Sequence, residues 1–146
     1  VIDDAGYIIS NYYMENKAPL TAKMGDKYVV YDNLATNFWK IVNSINALPE
    51  EKLVYVFMHE DVSDAGKVKP RTIGKMLDEK ICIEGYFSIV LRAEKTNGKY
   101  IFRTNTDGIA VTKSPIGMFA ETIDNDLSFV DKTVRDYYGL NQGEKK

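Results

Sequence analysis

Val1-Ile2-Asp3-Asp4 opens the chain, and Ala5, Ile8, Ile9, Tyr12 and Tyr13 follow at the spacing of one helical face. The reading is a short apolar strand that ends in two adjacent carboxylates and turns at once into a helix. A second apolar run, Leu53-Val54-Tyr55-Val56-Phe57-Met58, is rich in β-formers and stops at His59-Glu60-Asp61. It reads as a buried strand that needs cover on both faces. Two helices between these runs can supply that cover. Acidic and imidazole groups then stand at the C-terminal ends of two strands, the edge where open α/β sheets bind ligands. These stretches decide an α/β fold.

Working outward, Lys17 to Asp32 reads as a polar connection with Pro19 and Gly25 and a short apolar patch at Tyr28 to Tyr31. A second helix is expected from Asn33 to Ala47. Leu34, Phe38, Ile41, Val42 and Ile45 form its buried stripe, Asp32 or Asn33 its cap, and Pro49 follows it. Val62 to Arg71 reads as a loop and Thr72 to Glu79 as a short helix. Tyr86 to Ala93 and Lys99 to Thr104 read as strands of a hairpin joined by Glu94 to Gly98. Lys113-Ser114-Pro115-Ile116-Gly117 is irregular. A last helix runs from Asp126 to Tyr138, capped by Asn125 and ended by Gly139. Residues 1–139 form the expected core, and 140–146 a polar tail.

Composition bounds the function. The chain has 146 residues, 45% of them hydrophobic, and a net charge of −2. That describes a globular domain without an overall basic field for nucleic acid. The apolar runs are too short to span a bilayer. The single Cys82 excludes an internal disulfide and a thiolate zinc cage, which fits a reducing cytoplasm. One segment departs from the average: Lys67, Lys69, Arg71 and Lys75 stand between Ala65 and Leu77 with no acid among them.

Four groups of residues can carry chemistry. Asp3 and Asp4 suit a hard cation, which takes carboxylate oxygens together with water and substrate phosphates. The second carboxylate could polarise an attacking water. The same pair equally suits the cap of the following helix. His59 and Glu60 could sense a γ-phosphate or move a proton, or form a surface turn. The run from Lys67 to Lys75, including Arg71, could offer a cationic finger to a phosphate or contact nucleic-acid phosphates, or be a solvated loop. Lys113, beside Thr112 and Ser114, could reach a phosphate or belong to an ordinary turn. None of the Gly-Lys pairs is a phosphate-cradling loop. Gly74-Lys75 would need a glycine where Lys69 stands and a hydroxyl where Met76 stands, and Gly66-Lys67 and Gly98-Lys99 also fail.

In combination these elements resemble the phage-encoded RecA-like ATPases with an AAA-type nucleotide-binding domain, linked to single-strand annealing and recombination. The resemblance is carried by Val1-Ile2-Asp3-Asp4, Val56-Phe57-Met58-His59-Glu60 and Thr72-Ile73-Gly74-Lys75-Met76-Leu77-Asp78-Glu79-Lys80. Glu84-Gly85-Tyr86-Phe87-Ser88-Ile89-Val90-Leu91, Lys113-Ser114-Pro115-Ile116-Gly117-Met118-Phe119 and Asn125-Asp126-Leu127 continue it in family order. It implies a partial RecA-like P-loop NTPase sheet with flanking helices and a C-terminal β-hairpin plus helix. It also implies ATP and Mg²⁺ as cofactors, with Asp3 as the Walker B metal carboxylate and Asp4, His59, Glu60 and Lys75 in catalytic roles. Lys113 and Arg71 would then contact nucleotide phosphates.

The departure is the missing P-loop and its strand. The expectation is therefore the later part of a larger ATPase, beginning at the metal-binding strand and inactive alone. Single-stranded DNA, a homo-oligomer and the bacterial host cytoplasm are the implied partner, assembly and location, with no membrane. The alternative is a non-catalytic module on a degenerate RecA-like fold that binds single-stranded DNA or another protein.

Overall fold

A computed structural model describes residues 1–140; the expected tail beyond Leu140 lies outside the described residues. The chain mixes helices with two small sheets and divides into two compact units. The first unit takes Val1–Leu48, Val54–Asp61 and Pro70–Tyr86. The second takes Pro49–Leu53, Val62–Lys69 and the chain from Phe87 onward.

The first unit is built on two helices. α1 (Ala5–Asn16) starts where Asp4, in extended conformation, accepts the Gly6 N–H at 2.7 Å. That bond satisfies one of the amide donors a helix start leaves open. Ala5 and Ile9, one turn apart, are its buried residues. α2 (Met24–Ile45) begins well before the expected Asn33. Val30, Leu34, Phe38 and Val42 are buried at successive four-residue steps, so the patch around Tyr28 to Tyr31 belongs to the same apolar stripe. Asp32 is therefore mid-helix and caps nothing; it meets Lys80 Nζ at 2.5 Å. Tyr13 of α1 and Tyr31 of α2 approach with ring centroids 5.4 Å apart. A hydrogen bond with the Tyr13 side chain, helped by burial, pushes the Tyr31 phenol up to about 12.

Residues 54–58 differ from the buried strand read in the sequence. They are half-buried, and their bridge is a single parallel one between Ile2 and Val56. After them, β1 (Glu60–Val62) and β2 (Val68–Pro70) form a two-stranded sheet where a loop was expected. Ser63 and Gly66, the latter at φ 72°, make its turn. α3 (Lys75–Asp78) is a single turn with Leu77 fully buried, followed by a 3₁₀ turn at Ile83–Tyr86. Thr72 Oγ1 steadies α3 by donating to Asp78 Oδ1 at 2.5 Å and accepting the Gly74 N–H at 3.2 Å.

The second unit holds an antiparallel sheet of β3 (Arg92–Thr96), β4 (Lys99–Arg103) and β5 (Thr122–Asp124), in that order. The hairpin turn is Asn97-Gly98 alone, both at positive φ, which the right-handed twist of a two-residue hairpin favours. The sequence reading placed the first strand too early, because Tyr86 falls in the 3₁₀ turn and the ladder begins at Arg92. β5 was not foreseen. α4 (Leu127–Tyr138) is capped by Asp126, whose carboxylate accepts the Ser128 N–H at 2.8 Å. It ends at Gly139 in the left-handed region. Phe102, Ala110, Met118, Val130 and Val134 are among the buried side chains of this unit. No helix among the described residues is long and apolar enough to cross a membrane.

Candidate functional site

The chain ends at the first unit's parallel bridge bring several sequence candidates together. Ile2 N–H donates to Tyr55 O at 2.8 Å, and Phe57 N–H donates back to Ile2 O at 2.9 Å. Ala5 N–H, at the start of α1, donates to Phe57 O at 2.9 Å, one residue out of ladder register. These bonds run the opening segment alongside residues 55–57 in the same direction. Asp4 and His59, two residues beyond the respective bridge partners in one case and three in the other, therefore emerge at one end. His59 Nε2 lies 3.4 Å from Asp4 Oδ2.

The two oxygens of Asp4 face different tasks. Oδ1 accepts from Gly6 at the start of α1, while Oδ2 faces the imidazole. The Asp4 side chain is 13% exposed and that of His59 75% exposed, so the carboxylate is sheltered and the ring faces solvent. The Asp3–Asp4 peptide is cis, and Asp3 is exposed. Glu60, the first residue of β1, is also exposed.

Arg71 joins this group through its backbone: its N–H donates to His59 O at 2.7 Å. Its side chain is exposed, one residue past the end of β2. Lys75 lies on α3 and pairs with Glu79 at 3.8 Å. Lys113 belongs to the second unit, where its amide and carbonyl bond Val90 at 3.0 and 2.8 Å in an antiparallel bridge. Asp3, Asp4, His59, Glu60, Arg71 and Lys75 are thus parts of one unit, and Lys113 is part of the other.

Gly6 is the residue that sequence reasoning passed over. A Cβ built there would stand 3.1 Å from Asp4 Oδ1, so a side chain would crowd the cap. A glycine two residues after a capping aspartate was the available signal. Among the described residues no group of three or more His, Cys, Asp or Glu could hold a metal ion. A magnesium ion held by one carboxylate plus phosphates and water needs no such cage, and the exposed Asp3 is the donor that fits it. Comparison of the chain with protein-family models, with curated proteins and with solved structures finds no match.

Proposed function

We propose that the edge formed by Asp3, Asp4 and His59 is the hydrolytic edge of a RecA-like ATPase acting in phage DNA recombination. One observation carries this reading: the parallel pairing of Ile2 with Val56, which ends with Asp4 and His59 3.4 Å apart. A metal-binding strand and a neighbouring sensor strand of a nucleotide hydrolase require that adjacency. Residues 1–146 contain no phosphate-cradling loop, so tight ATP binding on this reading needs a polypeptide segment that supplies one.

Magnesium, when bound, neutralises charge on the transferring phosphoryl group. Asp3 is the ligand offered to it. Asp4 holds His59 at the strand ends through Nε2, and His59 with Glu60 orients the attacking water, whose proton goes to His59 Nδ1 or to the Glu60 carboxylate. Arg71 and Lys75, which belong to the same unit as this edge, are the cations assigned to the phosphates.

The test is ATP turnover by the full-length protein carrying Asp3→Ala, Asp4→Ala or His59→Gln. Asp3→Ala should lower turnover by at least a hundredfold. Asp4→Ala also removes a helix cap, about 1 kcal/mol, so thermal melting accompanies each assay. Wild-type rates in both aspartate variants reject the role.

A second reading, a non-catalytic module that binds single-stranded DNA or a protein, is favoured by the commitment of Asp4 Oδ1 to the helix cap. It expects DNA or protein binding that none of these substitutions alters.

A further inference from the structure

The β3–β4 hairpin carries an arrangement that neither the proposed hydrolytic edge nor the core uses. Tyr100 is 65% exposed, although it shares a face of β4 with the buried Phe102. Directly across the ladder from Tyr100 stands Lys95, with its Nζ 5.1 Å from the ring centroid. The next pair, Thr96 with Lys99, closes on the Asn97-Gly98 turn. An exposed aromatic ring and Lys95 therefore share one face beside the two-residue turn, and Lys99 flanks them from the other face of the same tip.

The charge balance of the hairpin sharpens the point. Its one carboxylate, Glu94, lies 3.4 Å from Arg92 and 2.7 Å from Arg103. Those arginines neutralise it, and Lys95 and Lys99 remain without a carboxylate partner among the described residues. The basic run at 67–75 is differently placed. Lys67 Nζ donates to the Gly108 carbonyl, and Lys75 pairs with Glu79. Lys67 and Lys75 thus have polar partners within the fold, whereas Lys95 meets only the Tyr100 ring and neither hairpin lysine meets a carboxylate among the described residues.

Single-stranded nucleic acid is the ligand that uses both features. An unpaired base offers a π-face to an aromatic side chain, and lysines track the adjoining phosphates without regard to sequence. A duplex keeps its bases stacked inside, and an acidic peptide would use the lysines and leave the ring idle. We propose that Tyr100, Lys95 and Lys99 form a contact site for single-stranded DNA, with one base stacked on the solvent side of the ring and phosphates on the two ammonium groups. This deepens the reading above, because it assigns a location to the DNA partner and rests on that partner being real.

Anisotropy of a labelled oligothymidylate, titrated with the full-length protein over a salt series, tests the site. Tyr100→Ala should weaken binding about tenfold or more, while Tyr100→Phe, which keeps the ring, should stay near wild type. Lys95→Gln with Lys99→Gln should reduce the slope of log affinity against log salt by about 1.4, roughly 0.7 for each phosphate released. ATP turnover without DNA should be unchanged in all three.

Unchanged affinity and slope overturn the hairpin site. So does an equal loss of duplex and single-strand binding in Tyr100→Ala, or a change of oligomeric state at constant DNA affinity. A wild-type protein that ignores oligothymidylate overturns the site together with the DNA partner. Turnover that still responds to Asp3→Ala would leave the hydrolytic reading standing in each of these cases.

Discussion

In the first unit the opening segment meets residues 54–58 through one parallel bridge at Ile2 and Val56, whereas in the second unit β3 and β4 pair over five consecutive positions across a two-residue turn. The first contact joins segments far apart in sequence and must be held by what surrounds it. The second is local, and its ladder satisfies its own backbone groups at small cost in loop closure. Buried side chains follow the same division. Ile9, Leu34 and Leu77, all in the first unit, are among the largest fully buried residues. The corresponding residue of the second unit is polar, Thr104, which donates its hydroxyl to Ala120 O at 2.6 Å. Both units bury apolar side chains, but the most deeply buried side chain of the sheet unit is the hydrogen-bonded Thr104.

Leu34→Ala should break the contrast most visibly. Truncating a fully buried leucine of α2 leaves a cavity and should cost about 3 kcal/mol, read from the urea midpoint. Thr104→Val keeps the shape and removes the donor, leaving the Ala120 carbonyl without it. The expected loss is about 1–2 kcal/mol. A larger loss for Thr104→Val than for Leu34→Ala would reverse the comparison.

The smallest effect sharpens it through pH. Asp107 accepts from the amides of Ala110 and Ile109, which with the Arg103 guanidinium hold its carboxyl below the usual value. A depressed folded value means that its contribution is fully present above about pH 4 and is lost as pH falls through the folded value. Asp107→Asn should therefore lower the melting temperature slightly at neutral pH, where the contribution is present, and flatten the acid limb of the profile below about pH 4, where wild type and variant converge.

The elements legible in the sequence are those whose signals are local. α1 shows a capping aspartate and a helical stripe, and α4 shows its glycine stop, although its cap is Asp126 and not the expected Asn125. The start of α2 was not legible, because Asp32-Asn33 looks like a cap while Asp32 serves an ion pair with Lys80 that only the tertiary structure creates. Residues 54–58 have strand composition, yet depth of burial is set by neighbours, and they are half-covered. β5 is three residues long and carries no pattern of its own; it exists by pairing with β4. At the candidate site, strand-end chemistry predicted that Asp4 and His59 could share an edge. It could not reveal that the Arg71 amide would fasten to the His59 carbonyl, since that bond depends on the β1–β2 turn.

The divided duty of Asp4 has a thermodynamic consequence. One oxygen anchors the first turn of α1 and the other faces His59. A ligand that claims the carboxylate must therefore trade against the order of that helix, and loosening the helix must in turn alter the claim by the same factor. Occupancy at this edge is reciprocally linked to fraying at the start of α1, which amide exchange at Gly6 would register.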